Sequence, residues 1–144
     1  MDPEVRAALE AAYRAAEYRV QLSGEVLVLR VDRHDRAADQ RLRLEAGVHS
    51  DWAVITPCNP GSRRLSNAAN AAQLRELGAM LGERCVRRIA SINHDPSGRW
   101  PDEPGFLLCD PPAGFAEQLG RRYGQNAILC ARLGEAPRLV WLDD

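Results

Sequence analysis

From Trp52 onward the chain alternates short apolar runs with helix-like patterns, and this alternation restricts the fold more than any other feature. Residues 52–57, Trp-Ala-Val-Ile-Thr-Pro, form a continuous apolar run of strand length. A turn-forming loop follows at 58–65, containing Asn59-Pro60-Gly61-Ser62. Ser66 then stands where a helix cap belongs, ahead of Ala69, Leu74, Leu77 and Leu81. Residues 86–92 read as a strand, 93–104 as a polar loop with three prolines, and 106–109 as another strand. Pro111 and Pro112 are expected to open a helix with Phe115, Ala116, Leu119 and Tyr123 on one face, and Gly124 to end it. Residues 127–132 and 138–142 read as two further strands around a turn with Gly134 and Pro137. The order is β-α-β-β-α-β plus one strand, the pattern of a ferredoxin-like split βαβ core.

The first fifty residues add to that core. Asp2 and Pro3 fit a helix start, and Val5, Leu9, Tyr13 and Ala16 fall on one face of a helix ending near residue 17. Residues 18–22 and 25–31 flank Ser23-Gly24 as a hairpin. Asp35 caps a short helix over 36–46, stopped by Gly47. The expectation is an α+β fold in a single domain, 1–144, with 1–50 as a helix/hairpin/helix extension and 51–144 as the core. A chain of this length buries roughly 68% of its unfolded surface, so one core suffices without covalent staples.

Charge narrows the partners. Nineteen basic and twenty acidic residues give a net charge of −1, and every basic residue is Arg. No general positive field exists to hold nucleic acid, and the Arg pairs at 63–64, 87–88 and 121–122 are interleaved with few aromatics. The run 30–36, Arg-Val-Asp-Arg-His-Asp-Arg, reads as a solvated hairpin end. No apolar run approaches a membrane span, and residues 1–6 lack the basic-then-apolar pattern of an export leader. A cytoplasmic location is therefore expected. Cys58, Cys85, Cys109 and Cys130 sit in or beside apolar runs without C-x-x-C spacing. They are expected to be buried free thiols, with neither disulfides nor a metal centre. No cofactor motif is present; in particular, no P-loop lysine motif occurs.

Alternating strand directions bring three loops to one end of the sheet: 58–65, 93–104 and 124–126. Together they hold the residues a small polar ligand needs. Asn59, Ser62, Arg63 and Arg64, with Asn70 one turn into the helix, stand at a strand-to-helix junction that suits an anion. Arg99 and Trp100 precede Glu103, a carboxylate between two prolines and the candidate general acid or base. Gln125 and Asn126 complete the set. His94 lacks well-spaced co-ligands for a metal, and its pairing with Ser62 lacks a nucleophile-elbow motif. Each motif also has a bland reading, as a cap, turn or ion pair.

Several segments carry a resemblance: Trp52-Ala53-Val54-Ile55-Thr56, Asn59-Pro60, Ser62, Asn67 with Asn70, Gly98-Arg99-Trp100-Pro101, Glu103-Pro104 and Tyr123-Gly124-Gln125-Asn126-Ala127-Ile128. The chain resembles the bacterial domain of unknown function 3293 family from about Tyr13 to Leu142. The family pattern reads Glu-Pro-Ser where this chain has Glu103-Pro104-Gly105, so a serine role there is missing or moved. The resemblance implies a shared architecture and polar site and no particular reaction. The leading expectation is a small anionic or nucleotide-like ligand, with hydrolytic or transfer chemistry at Glu103. The alternative is a non-catalytic protein-interaction or regulatory module, binding a partner or a second copy of itself.

Overall fold

The computed structural model describes residues 1–142. It contains four helices and one antiparallel sheet of seven strands. Helix α1 spans Pro3–Ala15, with the Asp2 carboxylate accepting from Glu4 N–H. Strands β1 (Glu17–Val20) and β2 (Leu27–Leu29) pair as the expected hairpin. Helix α2 (Arg36–Glu45) starts at Asp35, whose side chain accepts from Ala37 and Ala38 N–H. Then follow β3 (Asp51–Ile55), a 3₁₀ turn at Pro60–Ser62, α3 (Asn67–Glu83), β4 (Arg88–His94), β5 (Glu103–Cys109), α4 (Phe115–Arg122), β6 (Ala127–Arg132) and β7 (Arg138–Trp141). Ser66 caps α3 through Ala69 N–H. The strand order is β2-β1-β4-β5-β3-β6-β7.

Each face of the sheet buries its own core, because side chains alternate along every strand. Helices α3 and α4 cover one face, placing Leu77, Leu81, Ala116 and Leu119 on Ala53, Ile55, Leu108 and Ile128. On the other face α2 sets Ala38 and Leu42 against Val20, Leu29, Trp52, Val54 and Leu107. Helix α1 is the exception. None of its residues is buried, and Val5 is 51% exposed, so the expected apolar face of α1 is not packed into the core.

Boundaries beside the loops differ from the sequence reading. Strand β5 begins at Glu103 rather than 106, and β4 runs on to His94. Proline is tolerated at position 104 because the β3 ladder reaches only as far as Phe106. The Pro104 carbonyl accepts instead from Thr56 Oγ1 at 2.9 Å. Pro111 and Pro112 precede α4 in a turn that ends at Gly114 with φ 78°, and the helix starts at Phe115. The four cysteines are free, but Cys85 is exposed, because it lies in the turn after α3 with φ 55°.

Candidate functional site

The three loops meet at one end of the sheet. Asn59 is the hub. It adopts a left-handed conformation with φ 50° and is 4% exposed. Such a buried amide needs every bond it can make. Its N–H donates to Asn70 Oδ1 at 3.0 Å, and its Oδ1 accepts from Asn70 Nδ2 at 2.8 Å and Leu65 N–H at 2.9 Å. Its Nδ2 donates to Glu103 Oε2 at 2.6 Å. Trp100 Nε1 donates to the same oxygen at 3.0 Å. Glu103 Oε1 accepts no hydrogen bond from the described residues. Asn126 Nδ2 donates to Ser62 Oγ at 2.8 Å, and Gln125 Nε2 to the Cys58 carbonyl at 3.0 Å. Gly124 bonds through its carbonyl to Gly61 N–H at 2.7 Å. A Cβ at Gly124 would meet Pro60 Cβ at 2.9 Å, so the third loop docks on the first only with glycine there.

These residues border a cavity of about 720 Å³ between α1 and the sheet. Its floor follows from register. Tyr18 of β1 stands opposite Asn93 of β4, and Asn93 opposite Glu103 of β5. Directly opposed residues share a face, so Tyr18, Asn93 and Glu103 form one row across three strands. Thr56, Val54 and Leu129 continue the floor, and Ala8, Leu9, Ala12, Tyr13 and Ala16 form the roof. The roof helix is held from outside. Arg14 pairs with Asp32, Tyr13 meets Trp141 edge-on at 5.8 Å between centroids, and Arg6 lies 4.2 Å over the Trp141 ring.

Burial sets the electrostatics. It pushes the Glu103 carboxyl above its usual range, against the opposing pull of Trp100 and Asn59. It raises the Tyr13 hydroxyl as well, with Ser62 and Asn126 working the other way and the Glu103 charge adding to the rise. Tyr18, 5% exposed, is raised chiefly by burial. Cys58 is also pushed up by burial and stays a thiol, so it is no ready nucleophile. In the second loop Asp95 accepts from Ser97 and from Trp100 N–H, and His94 Nδ1 pairs with Asp102 at 2.8 Å. A half-buried carboxyl whose pKa is raised by burial and whose second oxygen is uncommitted can act as a proton donor or acceptor.

The expected site residues divide into three groups. Asn59, Ser62, Arg99, Trp100, Glu103 and Gln125 line the cavity. Asn70 and Asn126 stand behind it and orient Asn59 and Ser62. Arg63 and Arg64 are exposed outside the lining; Arg64 lies 4.9 Å over the Trp100 ring and donates to the Arg99 carbonyl. Four N–H groups of the first loop are not open to an anion. The N–H groups of Gly61, Ser62, Arg63 and Leu65 all bond within the protein, since the folded loop must satisfy them itself. Tyr13, Tyr18 and the alanines of α1 were not legible as site residues. The available signal was that α1 is rich in Ala and poor in bulky apolar residues, too little to fill a core. Among the described residues no group of three or more His, Cys, Asp or Glu is arranged to hold a metal. Among the described residues no helix is long and apolar enough to cross a membrane.

No curated protein and no solved structure matches this chain. The model of a family described as "Protein of unknown function (DUF3293)" matches residues 55–128. That segment carries Asn59, Ser62, Asn70, Trp100, Glu103, Gln125 and Asn126, the network that builds the cavity's polar wall, and the chain belongs to the DUF3293 family.

Proposed function

We propose that this protein binds a small nucleotide-like molecule in the cavity beneath α1, with Glu103 as its acid–base group in a hydrolytic or transfer reaction. One observation carries the reading. A half-buried carboxylate has one oxygen fixed by Asn59 and Trp100 while the other is uncommitted, beside a cavity of small-ligand size. Arg99 at the cavity mouth and Arg64 beside it suit the anionic end of such a ligand, as guanidinium groups do. Trp100 offers a ring face to the flat part.

We also read β6-β3-β5-β4 with α3 and α4 as a ferredoxin-like split βαβ core, supported by that strand order and its antiparallel pairing. Four free thiols suit a reducing, cytoplasmic setting. The competing reading, a non-catalytic interaction module, draws on exposed Val26, Val28 and Leu44, but single exposed apolar side chains are ordinary.

Mass spectrometry of small molecules co-purifying with the native protein tests the proposal. The expected result is a molecule retained by wild type and depleted in folded Glu103→Gln. Wild-type protein that carries nothing and is stabilised by no member of a nucleotide and nucleoside panel would sink the reading.

A further inference from the structure

The cavity's polarity constrains which end of a ligand enters it. This rests on the reading that the cavity holds a small molecule. Of the charged side chains that line it, Glu103 and Asp95 are carboxylates and Arg99 is the only guanidinium. Arg99 is exposed at the mouth, whereas Glu103 is half-buried on the floor. His94, the remaining titratable lining group besides the two tyrosines, is paired with Asp102. Arg64 and Arg6 lie over the Trp100 and Trp141 rings outside the lining. No cation therefore faces the floor among the described residues.

Two of the floor's uncommitted atoms are acceptors. Glu103 Oε1 receives no hydrogen bond from the described residues. Asn93, beside it in the β4–β5 register, has its Oδ1 buried without a partner. A carboxylate with an unbonded oxygen and no guanidinium beside it favours an incoming donor and opposes an incoming anion. Three aromatic rings, Tyr13, Tyr18 and Trp100, stand around the same space. Their faces are negative, which attracts positive or donor-bearing planar groups.

We infer that the end of the ligand entering the cavity is a planar hydrogen-bond donor, an amidinium or aminated heterocycle, with any anionic end left at the arginines of the mouth. Glu103 Oε1 and the Asn93 amide are the floor groups that meet it. The assignment reverses the expectation that the junction at Asn59–Arg64 holds the anion inside the site.

The test uses two probes of the same shape and opposite character, benzamidine and benzoate. Each is titrated into the full chain while the Trp100 indole N–H is followed by NMR, its resonance assigned with Trp100→Phe. That N–H donates to Glu103, so it reports on the floor directly. Benzamidine is expected to bind about 10-fold tighter or more, the factor one charge-assisted hydrogen bond supplies. Glu103→Gln should erase the preference. Should that variant fail to fold, Asn93→Leu leaves the Glu103–Asn59–Trp100 network in place and should weaken benzamidine alone, by about 3-fold or more. Benzoate binding as tightly as benzamidine, or a preference unchanged in both variants, overturns the inference and leaves the cavity reading standing. If neither probe moves the indole resonance at millimolar concentration, both fall.

Discussion

Strand β5 carries a carboxylate at each end, Glu103 as its first residue and Asp110 one position past its last, and the fold treats the two in opposite ways. Asp110 is saturated. It accepts from the backbone N–H groups of His49, Ser50 and Asp51, from Ser50 Oγ, and from Arg87 at 2.7 Å. Burial acts to raise its pKa, but the N–H groups of His49, Ser50 and Asp51 outweigh that and hold it down to about 2. Its bonds tie the α2–β3 connection to β5, a structural clamp. Glu103 accepts two bonds, both on one oxygen, and burial raises its pKa. A carboxylate spent on backbone donors stabilises the fold, whereas one kept half-satisfied beside a cavity is a site in waiting.

Gly105 gives the harshest way to break this contrast. A Cβ there would meet the Ile55 carbonyl oxygen at 2.1 Å, so the close approach of β5 to β3 requires glycine. Gly105→Ala is expected to cost about 3 kcal/mol or more by forcing two backbones apart. Hydrogen exchange should then rise around Asn59 while the amides of His49–Asp51 keep their protection. Equal loss at both ends would mean that β5 yields as one unit and the contrast is illusory.

Asp110→Ala comes next. Removing an acceptor shared by three backbone N–H groups should cost about 2–3 kcal/mol in chemical denaturation. The Trp100 indole resonance should not move. The pH dependence has a definite sign. The folded-state pKa lies below the ordinary value of 3.8, so the contribution is complete above about pH 4 and is lost as pH falls through about 2. The acid limb of the stability curve should therefore flatten in Asp110→Ala; an unchanged limb would remove Asp110 from the clamp.

The smallest effect is expected at Glu103. Its pKa is raised on folding, so the cost of ionising it is absent in acid and builds as pH rises through the raised value. Glu103→Gln keeps an oxygen for Asn59 and Trp100 and removes that cost. Stability at neutral pH should hold or rise by about 1 kcal/mol while ligand binding falls, the usual trade at a functional site. A variant less stable by more than about 1 kcal/mol would place Glu103 with Asp110 as a structural group.

The periodicities were enough to place nearly every element. Ser66 and Asp35 cap the helices assigned to them, and alternation from Trp52 onward brings Asn59, Glu103 and Asn126 to one end. Local signals suffice there because caps, turns and apolar spacing act within a few residues, and chain direction then follows by counting. The clamp at Asp110 was not legible, since its partners lie about sixty positions away in a stretch with no motif.

What the sequence by itself determined, then, is the order of elements, the polar content of the three loops and their common end. Tertiary structure alone decided that Glu103 belongs to a strand, that Tyr18, Asn93 and Glu103 share a row, and that α1 roofs a cavity instead of filling a core. It also decided which oxygen of which carboxylate is left uncommitted. Register and burial are properties of residues brought together from distant positions. No window of sequence contains both the side chain and the neighbours that fix its environment.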